Sequence, residues 1–200
     1  MPIRELFIFR HGQTDWNAAG RFQGHIDVPM NDTGREQARA LIEPLSGADL
    51  QAILSSDLQR AAETARIVAE GLGGVPVFKT PGLREANLGS AQGLTRDEIV
   101  ARFGEERISR WASSLPTDAD VAYDGGESGG EVMRRVFESI EHFIFGNPRF
   151  RRIGISTHGG VVRRMMQRML PPGSPPVRIP NCVLYTASFD TRERVWRIRE

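Results

Sequence analysis

Cysteine, lysine and long apolar runs are all scarce in this sequence of 200 residues. The single cysteine, Cys182, excludes an internal disulfide framework and fits a reducing compartment. No apolar run approaches the roughly 18 residues that a membrane span needs, and the run Leu6–Phe9 is too short for the core of a secretory signal. We therefore expect a cytoplasmic protein that does not associate with a membrane.

Acidic residues are absent from His142 to Phe189, although this segment carries seven arginines. Lys79 is the only lysine, so nearly all of the basic charge lies on guanidinium groups. An arginine-rich genome would explain the general excess of arginine, but it would not remove the acids from one segment. A local positive field favours an anionic ligand. The aromatic residues of the segment do not form a stacking platform, so we expect no nucleic-acid partner.

Short apolar runs alternate with helical patterns, which predicts an α/β fold with a mostly parallel sheet and helices on both faces. We expect one domain over residues 1–200, because this length supports a full hydrophobic core. The strand candidates are Glu5–Phe9, Ala52–Ser55, Pro76–Lys79, Arg152–Ser156, Val183–Phe189 and Val195–Ile198. The helix candidates are Gln37–Glu43, Leu58–Leu72, Val132–Phe145 and Gly160–Leu170. Capping boxes mark the starts of the first and third of these helices: Thr33 with Glu36, and Ser128 with Glu131.

Histidine follows a predicted strand at two places. The stretch FIFRHG places Arg10 and His11 at one strand end, and STHGG places His158 at another. Ligands in open α/β sheets lie beyond the carboxyl ends of the strands. A lone histidine there is usually a hydrogen-bonded structural residue, but two in equivalent positions indicate a shared site. The helix that begins near Gly160 offers free N–H groups to an anion.

Two further side chains follow other strands. Arg60 lies in the first turn of a helix in SSDLQRAAETA, where the positive end of the helix dipole disfavours a cation. An ion pair with Asp57 or Glu63 would remove this penalty, and so would a bound anion. Glu85 lies in the loop LREANLG, where a glutamate is usually only solvated. Its position after a strand is what makes it a candidate.

These side chains together fit a phosphate site. Arginine binds phosphate oxygens through paired hydrogen bonds, a neutral histidine attacks phosphorus, and a carboxylic acid protonates the leaving alcohol. Metal binding is the alternative for histidine, but the four histidines show no close ligand spacing. Arg10 would also repel a cation beside His11. We therefore expect neither a metal nor a cofactor.

Four stretches in order, RHGQTDWN, SSDLQRAAETA, REANLG and STHGG, resemble the motifs of the histidine phosphatase superfamily in its phosphoglycerate mutase-like branch. The resemblance implies a three-layer α/β/α sandwich and catalysis without a metal. It implies that His11 forms a phosphohistidine, that Glu85 donates a proton, and that Arg10, Arg60 and His158 surround the phosphoryl group. Five further positions match phosphate or substrate contacts of the family: Asn17, Thr14, Gln23, Gly24 and Gly159. We expect the pocket rim to come from Phe22, Trp16, Leu88 and the segment Gln92–Gly126.

Three activities remain open within this resemblance. The first is a phosphatase that hydrolyses small phosphorylated metabolites and admits water to its phosphohistidine. The second is a 2,3-bisphosphoglycerate-dependent phosphoglycerate mutase, which excludes water. The mutases of the family carry a longer insertion with a lysine after the glutamate motif, whereas Gln92–Gly126 is short and has Arg96 near that position. This difference, the stretch GGESGGEV and an early C-terminus favour the phosphatase.

The third activity is phosphate binding without catalysis, which the presence of all the motif residues disfavours. The sequence leaves the identity of the phosphate ester and the oligomeric state open, and a homodimer is compatible with it.

Overall fold

The computed structural model describes residues 2–113, 116–171, 174–175 and 177–199. The strands are β1 (Ile3–Arg10), β2 (Ala52–Ser56), β3 (Val77–Thr80), β4 (Arg152–Thr157), β5 (Leu184–Asp190) and β6 (Val195–Arg199). The helices are α1 (Asp15–Ala18), α2 (Asp32–Ala40), α3 (Ile42–Leu45), α4 (Gln59–Gly71), α5 (Arg96–Phe103), α6 (Glu105–Ala112), α7 (Gly129–Gly146) and α8 (Gly159–Met169). Single 3₁₀ turns cover Ser46–Ala48, Pro81–Leu83, Gly89–Ala91 and Pro116–Asp118.

The strands form one sheet in the order β3-β2-β4-β1-β5-β6. The first four of these are parallel to one another, while β5 runs antiparallel to β1 and β6 antiparallel to β5. The prediction of a mostly parallel sheet is confirmed. Parallel strands end at one edge of a sheet, so the loops after β1, β2, β3 and β4 all begin on the same side of the molecule.

Helices cover both faces of the sheet. Alternate residues of a strand point to opposite faces, and in β1 Ile8 packs in the cluster that includes residues of α7 and α8, whereas Phe9 packs with α4. Both side chains are fully buried, and burial of each stabilises the fold by roughly 1.5–3 kcal/mol. The three-layer α/β/α arrangement is therefore confirmed. No described helix has the length and apolarity to cross a membrane.

The start of α2 differs from the prediction. Asn31 is its N-cap, with Oδ1 accepting a hydrogen bond from the N–H of Gly34 at 2.9 Å, and Thr33 already lies inside the helix. The predicted box of Thr33 with Glu36 is wrong because Asn31, an equally good capping residue, has the extended backbone that a cap requires. The box of Ser128 with Glu131 at α7 is confirmed.

Candidate active site

A cavity of about 240 Å³ opens at the edge where the parallel strands end. Eight of the ten predicted site residues line it, namely Arg10, His11, Asn17, Gln23, Gly24, Arg60, Glu85 and Gly159. The other lining residues are Gly20, Arg21, Phe22, Leu88, Trp111, Gly160, Arg163 and Ile179. The loops after four separate strands thus meet around one small space.

His11 is buried against the cavity in a defined orientation. Its backbone N–H donates to the carbonyl of Thr157 at 2.9 Å, which continues the pairing of β1 with β4. Nδ1 lies 2.7 Å from the carbonyl oxygen of Gly12. A carbonyl only accepts, so Nδ1 carries the proton and Nε2 keeps a free lone pair. Burial, and then the charges of Arg10 and Arg60, hold the pKa of His11 well below 6.5, so the imidazole is neutral at pH 7.

His158 lies behind His11, with the two ring centroids 5.2 Å apart. Its Nδ1 accepts a hydrogen bond from Nε of Arg60 at 3.2 Å, so Nε2 carries the proton and donates to Oγ of Ser56 at 2.8 Å. His158 is fully buried and does not line the cavity. The structure therefore places His158 in contact with Arg60 and close to His11, and its expected place around a phosphoryl group stays a prediction.

Arg60 is fully buried and is held by backbone groups. Nη1 donates to the carbonyl of Ile26 at 2.9 Å and Nη2 to the carbonyl of Gly24 at 2.8 Å. Each of these nitrogens has a second N–H. Burial lowers the pKa of Arg60 to about 10, while Glu85 and Asp27 oppose the shift, so the group remains cationic at neutral pH.

The alternative of a simple ion pair for Arg60 is excluded. Asp57 binds Arg84 instead, at 2.6 Å, and Glu63 binds Arg35 at 3.1 Å. Within the described part of the chain, Arg60 has no salt bridge to a carboxylate. A buried guanidinium without an ion pair favours an anionic ligand.

Arg10 faces the cavity from the end of β1. Nη1 donates to the carbonyl of Ile179 at 2.6 Å, and Gly159 lies beside Nε. Nε is buried and finds no hydrogen-bond partner among the described residues. A buried donor without a partner costs roughly 1–3 kcal/mol, and an oxyanion in the cavity would satisfy it.

Glu85 reaches the cavity from the loop after β3. Its Oε2 accepts a hydrogen bond from the N–H of Gly160 at the start of α8, at 2.9 Å, and its Oε1 accepts from the N–H of Ala86 at 3.0 Å. A Cβ at position 160 would lie 2.5 Å from Oε1 of Glu85, so a larger residue there would displace this carboxylate. The carboxylate is thus held at the N-terminus of α8 and faces the same cavity as His11.

Asn17 and Thr14 have different places in the site. Oδ1 of Asn17 accepts from the N–H of Thr14 and from Nδ2 of Asn181, each at 3.2 Å, so the amide N–H groups of Asn17 are left for a ligand. Thr14 is fully buried and caps α1, and it does not line the cavity. Thr14 therefore orients Asn17 and does not itself touch the space, contrary to its expected place among the substrate contacts. Nδ2 of Asn181 also donates to the carbonyl of His11 at 3.0 Å.

Gln23 and Gly24 also line the cavity. Oε1 of Gln23 is buried and has no partner among the described residues, so it offers an acceptor to the cavity. Gly24 has a φ of 56° and its carbonyl binds Arg60. A side chain at position 24 would be strained and would strike Gln92, with 2.3 Å between Cβ and Oε1. No group of three His, Cys, Asp or Glu residues within the described ranges is arranged to hold a metal ion.

A family model described as "Histidine phosphatase superfamily (branch 1)" matches residues 6–199. The chain belongs to the histidine phosphatase superfamily. Phosphoglycerate mutase-like protein 4 of Arabidopsis thaliana is 39% identical over 168 residues, which cover 84% of this chain and 71% of that protein. The metal-independent phosphoserine phosphatase of the same plant is 35% identical over 168 residues, which cover 84% and 69%.

A solved structure of mycobacterial glucosyl-3-phosphoglycerate phosphatase in complex with VO3 superposes with a TM-score of 0.84 and 31% identity, covering 98% of each chain. The named phosphatases among these members of the superfamily agree with the phosphomonoester hydrolase that the sequence predicts. Proteins named as mutases also occur among the relatives.

Sequence reasoning missed Arg163 of this histidine phosphatase site, whereas Trp111 lies in the predicted rim segment Gln92–Gly126. Arg163 lines the cavity, and its place in the acid-free segment was a usable signal. Trp111 forms part of the wall and is held by Arg164, whose guanidinium lies 4.3 Å from the ring centroid and donates to the carbonyl of Trp111 at 2.6 Å. Phe22 and Leu88 line the cavity as predicted, but Trp16 does not. Trp16 lies beside Gly93 instead.

Proposed function

We propose that this protein is a metal-independent phosphatase that hydrolyses small phosphate monoesters through a phosphohistidine on His11. The observation that carries the proposal is the state of His11. Its Nδ1–H donates to the carbonyl of Gly12, so the lone pair of Nε2 is available, and His11 lines the same cavity as Arg10, Arg60 and Glu85. Nucleophile, cationic groups and proton donor are therefore present around one space.

In the first half-reaction, Nε2 of His11 attacks phosphorus. The N–P bond forms as the ester P–O bond breaks, and protonated Glu85 gives its proton to the departing oxygen, so that an alcohol leaves.

In the second half-reaction, water attacks the phosphohistidine. Glu85 is now a carboxylate and takes a proton from that water, the N–P bond breaks, and inorganic phosphate leaves with neutral His11 restored. The same residue serves as acid and then as base, so the cycle needs no metal.

Arg10 and Arg60 supply the positive charge that stabilises the phosphoryl group in both transition states. Arg60 is fully buried and Arg10 is partly buried, and an electrostatic contact away from water is stronger than one in water. Losing one such contact costs roughly 2.7–4 kcal/mol of barrier. Asn17 contributes an amide donor, and His158 holds Arg60 in place.

The substrate is a small phosphorylated metabolite. The cavity of about 240 Å³ lies below the roughly 300–1,000 Å³ typical of sites for larger ligands. Two relatives are named for phosphoserine and for glucosyl-3-phosphoglycerate, which are substrates of this kind. Apolar and basic side chains line the cavity together, and these include Phe22, Leu88, Trp111 and Arg163.

Phosphoglycerate mutase activity is the second candidate, because named mutases occur among the relatives. The segment from Gln92 to Gly126 contains α5 and α6, and of its described residues, 92–113 and 116–126, only Trp111 lines the cavity. A mutase must protect its phosphohistidine from water, so this limited cover supports the phosphatase.

The test is to trap the intermediate. The protein is mixed briefly with a phosphate monoester labelled on phosphorus and is quenched in base, in which phosphohistidine survives. Label on His11, lost together with turnover in the His11→Ala variant, supports the proposal. The exposed His142→Ala variant is the matched control. Turnover that persists in His11→Ala, or label on another residue, contradicts it.

A further inference from the structure

We propose that Arg135 is a positioning residue for Glu85, acting through the main chain of the loop that carries this carboxylate. The inference rests on the proposed role of Glu85 as proton donor. Arg135 lies on α7, outside the cavity lining, and its guanidinium turns toward the loop after β3.

Three carbonyl groups of that loop accept hydrogen bonds from Arg135. Nη1 donates to Gly82 at 3.0 Å and to Arg84 at 2.8 Å, and Nη2 donates to the carbonyl of Glu85 itself at 2.8 Å. A planar guanidinium in this position leaves the loop little freedom to rotate. The main chain on which the carboxylate is mounted is therefore held from α7.

Glu127 holds Arg135 in turn. Its carboxylate accepts from Nε at 2.7 Å and from Nη2 at 2.8 Å, a paired geometry that is the strongest form of this contact. Glu127 also accepts from the N–H of Asn87 at 2.7 Å and donates its own N–H to the carbonyl of Asn87 at 2.7 Å. Arg135 and Glu127 together thus form hydrogen bonds to the loop on both sides of Glu85.

His25 converges on the same carbonyl. Its Nε2 donates to the carbonyl of Glu85 at 2.8 Å and lies 3.7 Å from Oε2 of Glu127. The preceding residue, Gly24, binds Arg60 through its carbonyl. The position of the proton donor is thereby linked to the wall that binds the phosphoryl group.

Proton transfer is sensitive to this support. The carboxylate of Glu85 accepts hydrogen bonds from the N–H groups of Ala86 and Gly160. A shift of the Glu85 main chain would therefore move the acid relative to the departing oxygen. A displacement of about 1 Å costs on the order of a hundredfold in rate. The loss of rate should be largest for substrates whose leaving groups need a proton.

The experiment compares kcat/KM for an alkyl phosphate and for 4-nitrophenyl phosphate in the Arg135→Met and Glu127→Gln variants. We expect the alkyl ester to lose about tenfold to a hundredfold more than the aryl ester. The ratio of the two values does not depend on how much of a variant is folded, so reduced stability cannot imitate the effect. Arg135→Lys, which keeps one donor nitrogen, should restore part of the ratio of the two kcat/KM values. Arg134→Met, at the exposed neighbouring position, should leave it unchanged.

The Glu85→Gln background separates positioning from other roles. Adding Arg135→Met there should cause no further selective loss on the alkyl ester, because the group that Arg135 positions is already unable to donate. Equal losses on both esters in Arg135→Met and in Glu127→Gln would overturn the inference while leaving the proposed function intact, provided that Glu85→Gln itself is selective. A Glu85→Gln variant without selectivity would overturn the inference together with the role of Glu85 as proton donor on which it rests, whereas label on His11 would still support the phosphohistidine.

Discussion

Arg60 donates a hydrogen bond from Nε to Nδ1 of His158 across 3.2 Å, and both side chains are fully buried. This contact joins the loops after β2 and β4. It requires a neutral His158, because a protonated ring would have no lone pair to offer the guanidinium. We therefore expect His158 to serve the site by orienting the guanidinium of Arg60.

Replacing Arg60 by lysine should lower kcat by about 10²–10³-fold. A single ammonium group cannot bond His158, Gly24 and Ile26 in their present geometry and also bind phosphate. Steady-state kinetics on 4-nitrophenyl phosphate, with the folded fraction measured by circular dichroism, checks this. Arg66→Lys, on the exposed face of the same helix, is the control. A folded Arg60→Lys variant with nearly full kcat would remove Arg60 from the phosphate site.

The Glu85→Gln variant keeps the shape of the side chain but has no proton to give. It should slow alkyl phosphates by about 10²–10⁴-fold and slow 4-nitrophenyl phosphate much less, because nitrophenolate leaves without protonation. The measurement is kcat/KM on both esters, with the exposed Glu106→Gln variant as control. Equal slowing of the two esters would mean that Glu85 only orients the substrate.

Chelation of divalent metals should leave phosphatase activity unchanged. The proposed steps need only side chains, and the described residues contain no cluster of ligands for a metal. Activity is measured after incubation with EDTA and dialysis, and again after divalent ions are added back. Inactivation that an added metal reverses would contradict the mechanism.

Hydrolysis should dominate over isomerisation of phosphoglycerate. The phosphohistidine would face a cavity to which the described residues of the segment 92–126 contribute one wall residue, Trp111, so water should reach it before a second substrate does. The measurement is the ratio of phosphate released from an aryl phosphate to 2-phosphoglycerate formed from 3-phosphoglycerate with catalytic 2,3-bisphosphoglycerate. If isomerisation is faster by about tenfold, equivalent to roughly 1.4 kcal/mol, the mutase assignment is correct.

The free energy of unfolding should fall as pH drops below 6.5. Burial and neighbouring arginines hold the pKa values of His11 and His158 well below 6.5 in the folded protein. Below pH 6.5 these histidines therefore bind protons in the unfolded chain but not in the folded protein. The free energy of unfolding decreases from pH 6.5 downward, by at most about 1.4 kcal/mol per pH unit for each histidine. Above pH 6.5 these groups contribute no slope.

Urea unfolding between pH 7.5 and 5 checks this expectation. The His11→Asn variant should show a shallower decline, while the exposed His142→Asn variant should match the wild type. An unchanged decline in His11→Asn would mean that other groups cause it.

The sequence alone predicted the sheet, its layers and most of the residues around the cavity. It could do so because apolar runs mark buried strands, and because parallel strands end at one edge, so that Arg10, His11 and Glu85 had to emerge on the same side. The four motifs then indicated the family, which the match over residues 6–199 shows.

Only the tertiary structure decided which side chains face the ligand and which support those that do. His158 lies 98 residues from Arg60, and Arg135 lies 50 residues from Glu85. Contacts between residues so far apart in the sequence depend on how the loops pack in the folded chain, and no local pattern of residues predicts this packing. For the same reason the sequence did not show that Thr14 caps α1 or that Trp16 lies beside Gly93. It also did not show that His25 and Arg135 both donate to the carbonyl of Glu85.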